Sequence, residues 1–190
     1  LAALDLAVVG VAERGFALWN GVPGVRILGA HFYGPYFAPG AQGCHPSAAL
    51  RPPVPEEYAA FLQRSEAIAS ATVAPELIGA EAFSRAIVER GICLNLGHTN
   101  ATFVEVEKAL AWGVRHVDHL FCAMSDKSKL RSLPGAPIYP MRGGTLEAAL
   151  YFDELTTEVI ADGKHLTADL LRLALKLKGP ERLALVTDCN

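Results

Sequence analysis

Between Ile92 and Met124 the apolar positions change their period twice, in the stretch ICLNLGHTNATFVEVEKALAWGVRHVDHLFCAM. Ile92, Leu94 and Leu96 make a short buried run that Gly97 breaks. Val106, Ala109 and Leu110 then recur at helical spacing behind Asn100 or Thr102, either of which can cap a helix. Gly113 ends that helix, and Val114, Val117 and Leu120 restart an apolar segment around Arg115 and His116. Strand, helix and strand joined in this way form a crossover unit with parallel neighbouring strands. His98 and His119 fall where each strand gives way to its loop, on the face where such folds place ligands.

The same alternation extends along the chain. Leu1 to Arg14 is Ala- and Leu-rich and predicts a helix. Val25 to Phe32 predicts a buried strand, and Pro52, Pro53 and Pro55 lead into a helix from about Glu56 to Ser70 with Tyr58, Phe61 and Leu62 on its buried side. Ala71 to Pro75 predicts the next strand and Glu81 to Arg90 the next helix, with Glu76 between them. Ser125 to Gly144 is the longest irregular stretch, and Thr145 to Leu155 is a short amphipathic segment. Thr157 to Ala161 predicts a strand, Thr167 caps a helix through Leu177, and Arg182 to Thr187 predicts the last strand, with Asp188 at its end. Six apolar strands separated mostly by helices predict an α/β fold with a parallel sheet, as one domain over residues 1–190. Six such strands leave two open parallel edges, which further chain or a partner is expected to cover.

Composition narrows the classes of function. Of 190 residues, 51% are hydrophobic and 19% charged, a globular balance with ample material for a core. A formal net charge of −3 supplies no basic footprint, which argues against nucleic acid and anionic membrane surfaces as partners and for a small-molecule ligand. No apolar run predicts a transmembrane segment or a signal peptide. Cys44, Cys93, Cys122 and Cys189 form no CxxC pair, which fits reduced thiols in a cytoplasmic protein. The chain opens at Leu1 within a predicted helix, the pattern expected of a fragment.

Either histidine alone reads as a hydrogen-bonded structural residue. Two at equivalent ends of adjacent strands admit a metal site, since imidazole is the commonest ligand for zinc-like ions. Asp188 similarly reads as a helix N-cap or, facing two such histidines, as a general base.

The words GHTNAT and HLFCAM closely resemble the metal-binding stretches of N-acetylglucosamine-6-phosphate deacetylases in the amidohydrolase superfamily, whose usual forms are GHTNA or GHSNA and HLFNAM or HLYNAM. HFYGPYFAPGAQGCHP (His31 to Pro46), VAPEL (Val73 to Leu77), EVIADGKHL (Glu158 to Leu166) and LALVTD (Leu183 to Asp188) continue the resemblance in the family's order, over nearly the whole chain. It implies a TIM-barrel-like (β/α)8 metal-dependent hydrolase fold, here a partial barrel lacking the first two strands. It implies deacetylation of N-acetylglucosamine 6-phosphate to glucosamine 6-phosphate and acetate, with a divalent metal, zinc or iron, held by His98 and His119. Asp188 matches the family's general base. His45 and His165 match its substrate histidines, Cys122 and Ala123 stand in its phosphate-holding loop, and Glu76, in VAPEL, falls in a word the family uses mainly structurally. A homodimer is implied as well, because the arginine of the family's GREPG-like word often reaches phosphate across the interface; Arg142, in YPMRGG, lies one place out of that register.

Two positions depart from the pattern. Tyr33 stands where HLEGP has its metal-binding glutamate, and a phenol is neutral at pH values where a carboxylate is ionised; on its own Tyr33 reads as a packing and hydrogen-bonding residue. Cys122 replaces the asparagine of HLFNAM, and a thiol is the poorer donor. As a nucleophile it would need a nearby base and a lowered pKa. These departures keep two alternatives open: a non-catalytic homologue that binds a sugar phosphate, and an amidohydrolase acting on another N-acyl substrate.

Overall fold

Alternating side chains along six short strands give the sheet two unlike faces. The structure, a computed structural model, describes residues 28–188; the helix expected over Leu1–Arg14, the start of the strand expected from Val25, and Cys189 lie outside them. The strands are β1 (Ala30–Tyr33), β2 (Ile68–Val73), β3 (Cys93–Leu96), β4 (His116–Val117), β5 (Thr156–Ile160) and β6 (Leu183–Val186). They pair in sequence order, every neighbour parallel. This is the α/β arrangement of consecutive steps of a (β/α)8 barrel.

Phe32, Ala71, Val73, Leu94, Leu96, Val117 and Val159 pack from one face into the core, against Phe83, Ile87, Val106 and Ala109. Those partners come from α2 (Ala80–Val88) and α3 (Phe103–Ala111). The opposite face follows from register: Tyr33 pairs with Thr72, Thr72 with Asn95, Asn95 with His116, and His116 with Thr156. Residues paired across a parallel ladder share a face, so a polar row runs across the sheet.

Several boundaries differ from the sequence reading. The first described helix, α1 (Pro55–Leu62), starts on proline with Glu56 and Glu57 in its first turn, as the N-terminal dipole favours. It stops well before Ser70. Ile68 and Ala71 are taken by β2, where they pair with Ala30 and Leu94 and are buried, so the strand begins before Ala71. Only His116 and Val117 of the expected apolar segment enter β4. The irregular stretch contains a short helix, α4 (Lys127–Ser132), started by Asp126, whose Oδ1 accepts from the backbone of Ser128 (2.6 Å) and Lys129 (2.8 Å). The last turn of helix α5 (Thr145–Tyr151) has carbonyls with an unusual partner: Lys178 Nζ, on a buried side chain, donates to the oxygens of Ala149 and of the C-cap Phe152 at 2.9 Å each. Lys178 ends α6 (Ala168–Lys178), whose N-cap Thr167 makes no side-chain capping bond.

Among the described residues, Cys44, Cys93 and Cys122 form no disulfide, and no helix is long and apolar enough to cross a membrane.

Between Asn100 and Thr102, Thr102 is the cap of α3. Its hydroxyl accepts from Glu105 N, and the Glu105 carboxylate accepts from Thr102 N at 2.7 Å, a reciprocal capping box. Thr102→Ala should lower the unfolding free energy by about 1 kcal/mol, read as a reduced urea midpoint at unchanged m-value.

Candidate active site

The loops after the strands are bent into one cluster by a backbone that ordinary residues avoid. Among the described residues, the non-glycine positions with positive φ are His98 (48°), His119 (25°), Phe121 (77°), Ala123 (47°) and Asp188 (47°). Left-handed backbone at such residues costs of order 1 kcal/mol or more and persists where surrounding contacts enforce it, commonly at functional sites. The enforcing contacts are visible. Ala38 N donates to the His98 carbonyl at 2.9 Å, Thr99 N to the Ala123 carbonyl at 3.1 Å, and Cys122 N to the His119 carbonyl at 2.9 Å. Glu76 has the structural role expected of it: its carboxylate accepts from Thr99 Oγ1 (2.6 Å) and from Asn100 N.

His98 and His119 meet there, their Nε2 atoms 3.1 Å apart. Tyr33 Oη lies 2.8 Å from His98 Nε2 and 2.7 Å from His119 Nε2. The Ala41 carbonyl, 2.8 Å from His98 Nδ1, can only accept. His98 therefore carries its proton on Nδ1 and presents a bare Nε2, to which Tyr33 donates. The phenol oxygen then accepts from His119 Nε2–H, which leaves His119 Nδ1 a buried lone pair without a partner. Burial and the neighbouring His119 lower the His98 pKa to about 4, so it is neutral at physiological pH. Burial, reinforced by Asp118, Asp188 and Glu158, raises Tyr33 far above the ordinary phenol range. Tyr33 is a neutral donor.

The other expected residues surround this pair at varying distance. His45 packs 5.0 Å from His98 and 5.5 Å from Tyr33, centroid to centroid, and burial lowers its pKa. Its glycine-rich loop comes close: a Cβ on Gly43 would sit 3.0 Å from His98 Cε1. Phe37 stacks on the His98 ring at 4.2 Å and also packs against His45, 5.0 Å away. Asp188 is exposed at the end of β6; its charge acts on Tyr33, His45 and Cys122, which places it at the same mouth. Cys122 and Ala123 are half-buried beside His119. Burial, and then Asp188, raise the Cys122 pKa, the reverse of what a thiolate nucleophile needs. His165 is exposed, its Nδ1 2.9 Å from Asp162 Oδ2, while Asp162 Oδ1 accepts from the backbone of Lys164 and His165. Arg142 lies with Arg131, Asn100 and Met141 along a groove of about 290 Å³.

A metal ion fits this centre in part. An ion about 2.0–2.1 Å from each imidazole nitrogen is compatible with the 3.1 Å separation of the two Nε2 atoms, and His98 already holds the ligating tautomer through Ala41. His119 would have to move its proton to Nδ1, which faces no acceptor among the described residues. Tyr33 offers no charge. The imidazoles fit by position, and the negative charge that would complete the set is absent from residue 33.

That charge stands lower on the polar face, at residues the sequence reading passed over. Asp118 is 1% exposed; Asn95 Nδ2 donates to its Oδ1 at 2.8 Å and Thr72 Oγ1 to its Oδ2 at 2.6 Å. His31 Nε2 lies 2.7 Å from Thr72 Oγ1, and His116 Nε2 lies 3.3 Å from Glu158 Oε2. The signal was period-two spacing of polar residues inside apolar strands: His31 and Tyr33, His116 and Asp118, Thr156 and Glu158.

No protein-family model matches the chain. It is 33% identical over 167 residues to the N-acetylgalactosamine-6-phosphate deacetylase of Shewanella sp. (strain ANA-3), covering 88% of this chain and 39% of that relative. It is 30% identical over 186 residues to the N-acetylglucosamine-6-phosphate deacetylase of Bacillus subtilis (strain 168), covering 97% of this chain and 44% of that one. The crystal structure of N-acetylglucosamine-6-phosphate deacetylase from Pasteurella multocida superposes with a TM-score of 0.75 at 30% identity, over 90% of this chain and 41% of that one. A variant of the Mycobacterium smegmatis deacetylase, in complex with N-acetyl-D-glucosamine-6-phosphate, superposes at 0.72 with 31% identity, over 83% of this chain and 39% of that one. The chain thus spans about two fifths of the length of the relatives it matches, and by sequence and fold together it belongs to the N-acetylglucosamine-6-phosphate deacetylase family.

Proposed function

We propose that the protein carrying this stretch hydrolyses the acetamide of an N-acetyl amino-sugar 6-phosphate, N-acetylglucosamine 6-phosphate first among them, releasing acetate and the free amine. The observation that carries the reading is the convergence of His98 and His119, with Nε2 atoms 3.1 Å apart, at the carboxyl end of the sheet, where Asp188 also follows β6. Amide hydrolysis needs a deprotonated water to attack the carbonyl carbon and a proton for the departing nitrogen. Asp188, exposed at the end of β6, takes the water's proton and returns it to nitrogen. His98 and His119 would hold a divalent ion, zinc or iron, which when bound would lower the pKa of water and polarise the carbonyl. His45, the Cys122–Ala123 loop and His165 position the sugar phosphate; the Asp162 turn holds the His165 ring over its loop. The family pattern supports a cytoplasmic homodimer. The sugar epimer is left open by the relatives, one named for the galactosamine and others for the glucosamine phosphate.

A specific observation favours a second reading, a sugar-phosphate binder without turnover: Tyr33, His98 and Ala41 close a hydrogen-bond chain that needs no ion.

Three measurements test the first reading. Protein purified without chelator should carry a divalent ion that falls in the His98→Ala, His119→Ala double variant; near-zero metal in both rejects the site. Tyr33→Glu should raise metal occupancy, because a carboxylate supplies the charge that the phenol withholds; unchanged occupancy means the family's ligand geometry does not apply. In the full-length protein, Asp188→Asn should abolish acetate release from N-acetylglucosamine 6-phosphate while sparing its binding, since the amide keeps the shape but takes no proton at neutral pH. Binding lost together with turnover would make Asp188 structural.

A further inference from the structure

Below the mouth, toward the amino ends of the strands, the polar face carries ligating side chains that the proposed reaction does not use. One ligand atom each from His116, Asp118 and Glu158 lies within 4.8 Å of the others. The three come from β4, the residue following it, and β5, whose pairing of His116 with Thr156 and Val117 with Thr157 sets Glu158 beside Asp118.

The unbalanced charge in this group points to a cation. Asp118 and Glu158 are neighbouring carboxylates, one fully buried and one half-buried; among the described residues no lysine or arginine pairs with either, and the one imidazole that meets Glu158, that of His116 at 3.3 Å, belongs to the group itself. Thr72 and Asn95 hold the Asp118 oxygens in place but are neutral donors. His31 reaches the carboxylate only through the Thr72 hydroxyl, and burial holds its pKa below the ordinary value. A carboxylate withdrawn from water without a compensating charge is costly unless it takes up a proton or a cation.

The surroundings are also built rather than open. Each Asp118 oxygen spends one lone pair on its donor and keeps another. The β3 backbone presses on it so closely that a Cβ on Gly97 would sit 2.7 Å from Oδ2. Glu158 Oε1 faces the His119 backbone N–H at 3.4 Å, which joins this layer to the mouth.

We propose that His116, Asp118 and Glu158 bind a divalent cation, separate from the ion assigned to His98 and His119. One imidazole and two carboxylates suit manganese, ferrous iron or zinc, and suit soft monovalent copper poorly. The cation places behind the mouth a positive charge that Asp118 lacks and that Glu158 meets only in His116, and it does so in a chain whose residue 33 brings no carboxylate to the upper centre.

Counting ions tests this separately from the upper site. The full-length chain, stripped with chelator and desalted, is titrated with Zn2+ and with Mn2+ by calorimetry, and bound metal is then measured by elemental analysis. Wild type should take two ions per chain. Asp118→Asn and Glu158→Gln should each lose one, and the His98→Ala, His119→Ala double variant should keep one. Should the Asp118 variant not fold, Glu158→Gln, at a half-exposed position, carries the test alone. One ion in wild type that survives in the double histidine variant and disappears in Glu158→Gln supports this site and rejects the upper one. Ion counts and affinities unchanged by Glu158→Gln, or no ion left in the double histidine variant, overturn the proposal and leave Asp118 balanced by a proton.

Discussion

Period-two alternation under parallel register is the constraint on which the rest of this structure depends. Phe32, Leu94 and Val117 enter the core only because Tyr33, Asn95 and His116 point the other way. A slip of one residue in any strand would exchange the faces, setting an imidazole or carboxamide against Phe83 and a leucine on the polar row. The apolar burial that stabilises the sheet thus also fixes which side chains meet on the opposite face. Chemistry and stability are written into alternate positions of the same strands.

The mouth is a second consequence. Each strand must turn into its loop, and the turns after β3, β4 and β6 use left-handed backbone at His98, His119 and Asp188. The histidine turns are held by bonds between loops as well as within them: Thr99 N to the Ala123 carbonyl and Ala38 N to the His98 carbonyl join different loops, while Cys122 N to the His119 carbonyl closes one. Strain at one histidine is therefore offset by contacts that also fix the other. Such mutual support places imidazoles precisely without a ligand.

Much of this was legible beforehand, for identifiable reasons. His98 and His119 were readable because a glycine break and an apolar restart mark strand ends directly. The start of α3 was readable only to within Asn100 or Thr102, although the glutamate three residues after Thr102 is a local signal that decides for it. The end of α1 was not, since Ile68 and Ala71 fit a helix face as well as a strand, and only pairing with Ala30 and Leu94 decides between them. Helix α4 was hidden by its lysines and by the prolines and glycines after it, although Asp126 was a usable cap. The Asp118 layer was missed for a different reason. Its partners, Thr72, Asn95, His31 and Glu158, are scattered over the chain, and their meeting depends on the lateral order of strands, which no local word states.

Tyr33 then acquires a meaning that neither sequence nor fold supplies alone. A glutamate there would bring a charge to the two imidazoles; the phenol brings a proton instead, held by burial and by the field of Asp118, Asp188 and Glu158. Those same carboxylates make ionisation of Tyr33 harder, so the tyrosine cannot become the missing anion while they stay charged. A phenolate would face three negative neighbours in a partly desolvated site, where like charges interact far more strongly than in water. Tyr33 and the two carboxylates below it are thus coupled: a cation at His116, Asp118 and Glu158 would offset the share of the upward shift that the carboxylates add to the larger effect of burial, and would draw the two layers of the site into one electrostatic unit.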